Sequence, residues 1–297
     1  MIRPLLKSGG KIGVMAPSSY VEREDIEKST ALMEARGYKV FIHPQTFERH
    51  HQSAGTLLQK SMAFQGLWQR EDIDAIWCAG GGNRALQLLT SINFEKIKRK
   101  PKPLIGFSDV TALLNAVHAH TGFITYHGPV FKQIHKIESD QLGQTLALLE
   151  GAKAPIPMNN AKILREGKAS GPLLGGNLSL FQYLAESKDC ADLTGAVLFL
   201  EDAGDHLSRI DRMFLQLKRL GVFEKIGALV LGEFLDMQDG MRPFGFTLEE
   251  LVDEYLEDLQ IPAVLNIPFG HGRNLYTLPL GAQATLIADK GKVTLDF

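Results

Sequence analysis

Short apolar runs alternate with longer amphipathic stretches through the first half of the chain. Residues 12–16 are apolar and are closed by Pro17, Ser18 and Ser19. Residues 24–36 carry helical spacing, and Gly37 stands where a helix ends. The same reading predicts strands at 39–43, 75–78, 104–107 and 123–126, and helices at 59–69, 85–92 and 110–120. Strand and helix in alternation build a mostly parallel sheet with helices on both faces.

Residues 151–171 break that rhythm with Pro155, Pro157, Asn159 and Asn160. Beyond them, strands are predicted at 197–201, 228–232, 263–267, 284–288 and 293–297, but helices only at 209–220 and 248–259. Fewer helices per strand point to a mixed, curved or barrel-like sheet. The expected fold is α/β: a Rossmann-like parallel-sheet domain over residues 1–150, a linker over 151–172, and a smaller C-terminal mixed α/β, barrel-like domain over 173–297.

At 297 residues and 44% hydrophobic content the chain can bury a substantial core. A net charge of −2 with no basic run argues against a nucleic-acid partner. The longest apolar runs, such as 196–200 and 228–231, are strand-sized, so no membrane partner is expected. Cys78 and Cys190 lie far apart and suggest neither a disulfide framework nor a zinc site. Residues 1–11 lack the apolar segment of a secretory signal, and together these features predict a cytoplasmic protein.

Ser108 follows the apolar run Leu104-Ile-Gly-Phe and precedes Val110, Leu113, Leu114 and Val117 at helical spacing. A strand-to-helix turn at the C-terminal edge of a parallel sheet is where such folds place ligands. It also sets the hydroxyl at the positive end of a helix. Taken alone, Ser-Asp after a strand reads first as a helix cap. The Gly-x-Ser-x-Gly elbow is absent, because residue 110 is Val. Gly80-Gly81-Gly82-Asn83 fits neither the P-loop nor the dinucleotide spacing, which leaves an oxyanion cradle or a tight turn. No cofactor is implied.

His271 sits between Gly270 and Gly272 just beyond an apolar strand, open to close approach by another group. Its alternatives are a turn residue and a rival base, His127. Glu201 ends the run Val-Leu-Phe-Leu, where a buried carboxylate needs a partner such as a histidine, or Arg209 or Arg212.

Taken in order, Gly13-Val-Met-Ala-Pro-Ser-Ser, Gly106-Phe-Ser-Asp-Val-Thr-Ala-Leu, Tyr126-His-Gly-Pro, Leu174-Gly-Gly-Asn-Leu-Ser-Leu, Leu198-Phe-Leu-Glu-Asp with Arg209-Ile-Asp-Arg, and Pro268-Phe-Gly-His-Gly with Leu278-Pro-Leu-Gly resemble the serine LD-carboxypeptidase family, which includes the microcin-type immunity peptidases. The likeness covers almost the whole chain. It implies a triad of Ser108, Glu201 and His271, with an oxyanion hole made by the backbone of Asp109 and of Gly81 or Gly82. It further implies a small peptide or muropeptide substrate cut before a terminal D-alanine in cell-wall recycling, or else a peptidyl-nucleotide toxin. A homodimer is the expected assembly. Arg84, Arg273 and Lys132 are the cations that could hold a terminal carboxylate. The family commonly reads Arg-Gly-Gly-Tyr-Gly where this chain reads Gly80-Gly-Gly-Asn-Arg, a departure that bears on substrate contacts. The competing expectation is a non-catalytic module binding a nucleotide or sugar phosphate.

Overall fold

A computed structural model of the protein describes residues 2–297. Its strands run in chain order as β1 (Lys11–Met15), β2 (Lys39–Ile42), β3 (Ala75–Cys78), β4 (Leu104–Gly106), β5 (Thr125–His127), β6 (Lys162–Arg165), β7 (Gly167–Asn177), β8 (Val197–Ala203), β9 (Ala228–Leu235), β10 (Ala263–Leu265), β11 (Leu278–Leu280), β12 (Gln283–Asp289) and β13 (Lys292–Asp296). They form two sheets, ordered β11-β5-β4-β3-β1-β2 and β13-β12-β7-β8-β9-β10-β6.

In the first sheet β1 to β5 are all parallel, as the alternation of apolar runs and helices required. Apart from the edge strand β2, its strands are buried on both faces, so their side chains divide between two cores. Ala75 and Trp77 of β3 enter one apolar cluster, and Ile76 and Cys78 enter the other. The second cluster continues into Leu198, Phe199 and Leu200 of β8, so the two halves share a core.

One connection departs from a division at the linker. β11 comes from the second half of the chain but pairs antiparallel with β5 at the edge of the first sheet, Leu278 opposite His127. Pro279, which has no N–H to donate, suits an edge strand. The stretch read as a passage between domains also contains β6 and about half of β7.

The second sheet is mixed: β7 to β10 are parallel, whereas β6, β12 and β13 pair antiparallel. β6 also packs beside β12 and β13, which curls the sheet nearly shut. Between the sheets lies the helix Thr111–Thr121, which is buried around most of its circumference. Asn115 of that helix donates to the Gly175 carbonyl at 2.9 Å, and Thr111 Oγ1 accepts from the Asn177 N–H at 3.0 Å. Gly176 permits this approach, because a β-carbon there would stand 2.5 Å from Thr111 Cγ2.

Two expected elements differ in detail. The helix predicted over 85–92 shrinks to Ala85–Leu88 plus a turn, because Ile92 is extended and Asn93 caps a separate helix, Phe94–Lys98. The helix predicted over 110–120 begins with a 3₁₀ turn, Ser108–Val110, that places the serine inside the first turn rather than before it.

Candidate active site

β4 ends at Gly106, Phe107 is extended, and Ser108 then takes a φ of +62°, a left-handed value rare for serine. The chain reverses sharply and Val110 N–H bonds back to the Phe107 carbonyl at 3.2 Å. Glycine is required at 106, since a β-carbon there would lie 2.7 Å from Val110 Cγ1. Strained backbone held in place by its surroundings is a common mark of a functional residue. The Ser108 side chain is thereby lifted off the sheet at the head of a buried helix.

Asp109 is buried and its Oδ2 accepts from the Ala85 N–H at 2.8 Å, which ties the glycine loop to the serine turn. Burial raises the Asp109 pKa against the opposing pull of that bond and of the Lys60 charge. In the glycine loop, Gly81 presses its backbone against the Ser108 side chain. Gly82, at φ +116°, packs on Ser19 so tightly that a β-carbon would fall 2.1 Å from Ser19 Oγ. Among the described residues neither Gly81 nor Gly82 donates its N–H to another backbone group. Asp109 lies in the first turn, where amides have no partner within the helix.

Glu201 arrives from β8. The β8–β9 register shifts between Leu200 and Asp202, where Gly232 and Glu233 of β9 stand opposite the single Glu201. Glu201 is completely buried, and His271 Nδ1 donates to its Oε2 at 2.7 Å. His271 lies on the loop between β10 and β11, where Gly270 at φ +104° lets the backbone graze the carboxylate. A β-carbon at 270 would come within 2.8 Å of Glu201 Oε2. The bond to Nδ1 leaves Nε2 as the free ring nitrogen, the tautomer a general base needs. Burial alone lowers the His271 pKa, but the hydrogen bond and charge of Glu201, with Asp202 behind it, outweigh that and shift it upward. Asp202 is itself pushed up to about 6 by burial and by the Glu201 charge.

Ser108 and His271 open into the same cavity of about 400 Å³, with Gly81, Gly82, Phe107 and Lys132. No direct hydrogen bond joins the two, though the Phe107 ring lies 4.8 Å from the imidazole. Catalytic hydrogen bonds often tighten only when substrate is present.

The other sequence candidates divide. Arg84 lines an adjoining cavity of about 260 Å³ with Lys60, joined to the first through Gln52. Arg273 is exposed and borders neither cavity. Arg209 reaches Asp205 at 3.4 Å instead of Glu201. His127 is 1% exposed among Phe107, Phe199 and Phe269, and burial lowers its pKa to about 4. Ser19 and Phe107 fall inside motifs that carry the resemblance but had no role assigned, and Gln52 has no local signal that sets it apart from an ordinary turn residue.

Residues 12–128 match the family model for the LD-carboxypeptidase N-terminal domain, and residues 170–286 match that for the LD-carboxypeptidase C-terminal domain. The chain belongs to the LD-carboxypeptidase family. A relative from Synechocystis sp. is 32% identical across 100% of this chain and 97% of its own length. The murein tetrapeptide carboxypeptidase of Pseudomonas aeruginosa is 28% identical, covering 93% of each chain. The Escherichia coli microcin C7 self-immunity protein MccF is also 28% identical, over 94% of this chain and 90% of that one. Among solved structures, the muramoyltetrapeptide carboxypeptidase from Oxalobacter formigenes aligns with a TM-score of 0.87 at 27% identity, over 96% of this chain and 98% of the other. MccF in complex with glutamyl sulfamoyl guanosine shares the fold, with a TM-score of 0.91 at 23% identity over 99% and 98% of the two chains. The family and its carboxypeptidase relatives make this chain a peptidase hydrolase. Among the described residues no helix is long and apolar enough to cross a membrane.

Proposed function

We propose that the protein is a serine-type LD-carboxypeptidase that removes the terminal D-alanine from murein tetrapeptides. One observation carries the reading. A serine in a strained left-handed turn shares a cavity with an imidazole whose far nitrogen is held at 2.7 Å by a buried carboxylate.

In this mechanism His271 Nε2 takes the proton from Ser108 Oγ as the oxygen attacks the scissile carbonyl. Glu201 fixes the tautomer and stabilises the imidazolium that forms. The amides of Asp109 and of Gly81 or Gly82, close to Ser108 and free of backbone acceptors in the glycine loop, are the donors that receive the oxyanion. His271 then returns the proton to the leaving amine of D-alanine. Water, activated by the same imidazole, hydrolyses the acyl-enzyme.

The test is incubation with purified muropeptides followed by mass analysis for loss of one alanine, in parallel with labelling by a fluorophosphonate. Loss of alanine together with label on Ser108 is the expected result. An unlabelled Ser108 and intact tetrapeptide would sink the proposal. The relationship to MccF adds a second substrate to the same assay, an aminoacyl sulfamoyl nucleoside, whose preferential cleavage would redirect the reading to an immunity peptidase.

A further inference from the structure

The catalytic cavity has a definite charge. Among the described residues that line it, Lys132 is the only lysine or arginine, and no aspartate or glutamate faces it. Lys132 is half-buried on the 3₁₀ turn Phe131–Gln133, which is anchored from two sides. Its own N–H bonds to the Ala79 carbonyl at 3.0 Å, at the head of the glycine loop. Phe131 beside it is fully buried against Trp77, the rings 5.9 Å apart. The stem of Lys132 then passes over Gly80, where a β-carbon would lie 3.5 Å from its Cδ. Any larger residue at 80 would compete for the path the lysine takes. The next residue in that loop, Gly81, is the one pressed against Ser108.

The ammonium has no acidic partner. No carboxylate among the described residues lies within 4.0 Å of it. Asp25, whose charge reaches Lys132, is already held by Lys136 at 2.7 Å and faces His135 at 3.4 Å. An unpaired cation held in a catalytic cavity, with no acid beside it, suits an anionic ligand group.

We propose that Lys132 binds the free terminal carboxylate of the substrate and so restricts cleavage to the last residue of a peptide. The proposal rests on the peptidase reading above and assigns the end-recognition that reading requires. Arg84, facing the adjoining cavity, and Arg273, outside both, are not part of this contact. Charge-assisted pairing of this kind discriminates strongly, because a ligand lacking the carboxylate leaves the cation unmatched.

Binding to the Ser108→Ala protein separates recognition from chemistry. Calorimetric titration would compare a tetrapeptide ending in D-alanine as the free acid with its carboxamide. The acid should bind roughly 10- to 100-fold more tightly. Adding Lys132→Met should bring that ratio close to one, Lys132→Arg should restore part of it, and Arg84→Gln should leave it unchanged. An acid preference that survives Lys132→Met, or that disappears with Arg84→Gln instead, overturns the assignment. Failure of the hydrolase reading shows differently: the unmodified protein would leave the tetrapeptide uncut while the Lys132-dependent preference persisted.

Discussion

Gly81 lies so close to Ser108 that a β-carbon on it would stand 3.0 Å from the Ser108 Cβ and 3.1 Å from its Oγ. The glycine loop and the serine turn are therefore one unit, tied a second time where Asp109 accepts from Ala85. The paired glycines admit backbone amides beside a hydroxyl without a side chain between them.

Gly81→Ala tests that closeness. Its backbone is outside the left-handed region, so alanine adds only a crowded methyl. The Ser108 side chain must shift by a few tenths of an ångström, and since misplacement by about 1 Å can cost about 10²-fold, a loss of up to roughly 10-fold in rate is expected. The expected result is a fall in kcat on a murein tetrapeptide with little change in KM or in the urea midpoint. Undiminished turnover would detach the glycine loop from the reaction.

Glu201→Gln keeps the shape of the acid and removes its charge. Burial lowers the His271 pKa and Glu201 raises it past the ordinary value of 6.5, so the neutral base forms only as pH climbs through that raised value. The acid limb of kcat/KM in the unmodified protein should therefore lie above 6.5. In Glu201→Gln the limb should move to lower pH, while kcat on its plateau falls by roughly 10²- to 10⁴-fold. A pH–rate profile of both proteins checks the two effects together. An unmoved acid limb would show that His271 is not the group being titrated.

The fold was legible where it depends on local pattern and obscure where it depends on distant pairing. β1, β3 and β4 are apolar on both faces and stand out as runs, and the turn after β4 announces Ser108. Nothing near Leu278–Leu280 says that this strand leaves its own half to pair with β5. The strands β6 and β7 hid behind prolines and charges, because β6 is half-exposed and the first part of β7 alternates. At the site, the glycines around His271 signalled a close approach but not to what; the partner, Glu201, comes from a strand some seventy residues away, opposite an irregularity in β9 that no local pattern announces. Lys132 had no local signal that set it above Arg84 or Arg273, since its role depends on where its turn packs against Gly80.

His127 makes a separate prediction about acid stability. Neither of its ring nitrogens has a partner among the described residues, and burial holds its pKa near 4 against 6.5 for the free side chain. With the folded value depressed, the unfolded chain binds the proton first. Stability is therefore unaffected above pH 6.5 and is lost as pH falls from 6.5 toward 4. His127→Phe would place an apolar ring among Phe107, Phe199 and Phe269 and remove that proton uptake. Urea unfolding at pH 7 and pH 4.5 should show the variant losing about 2 kcal/mol less on acidification than the parent. Equal losses in the two proteins would show that His127 is not among the groups that set acid sensitivity.

Ser108 itself should be a place where stability and activity oppose each other. A left-handed φ costs a residue with a β-carbon roughly 1–2 kcal/mol, whereas glycine adopts it freely. Against this, glycine gives the unfolded chain extra freedom worth roughly 0.5–1 kcal/mol. Ser108→Gly should therefore raise stability by up to about 1.5 kcal/mol while abolishing turnover, the difference between those opposing terms. Ser108→Ala should also be inactive but should gain nothing, because it keeps the β-carbon and hence the strain. Denaturant midpoints of the three proteins, compared at constant m-value, separate the cases. If glycine and alanine at 108 proved equally stable, the turn would not be strained, and the φ of +62° would carry no information about selection for a reactive hydroxyl.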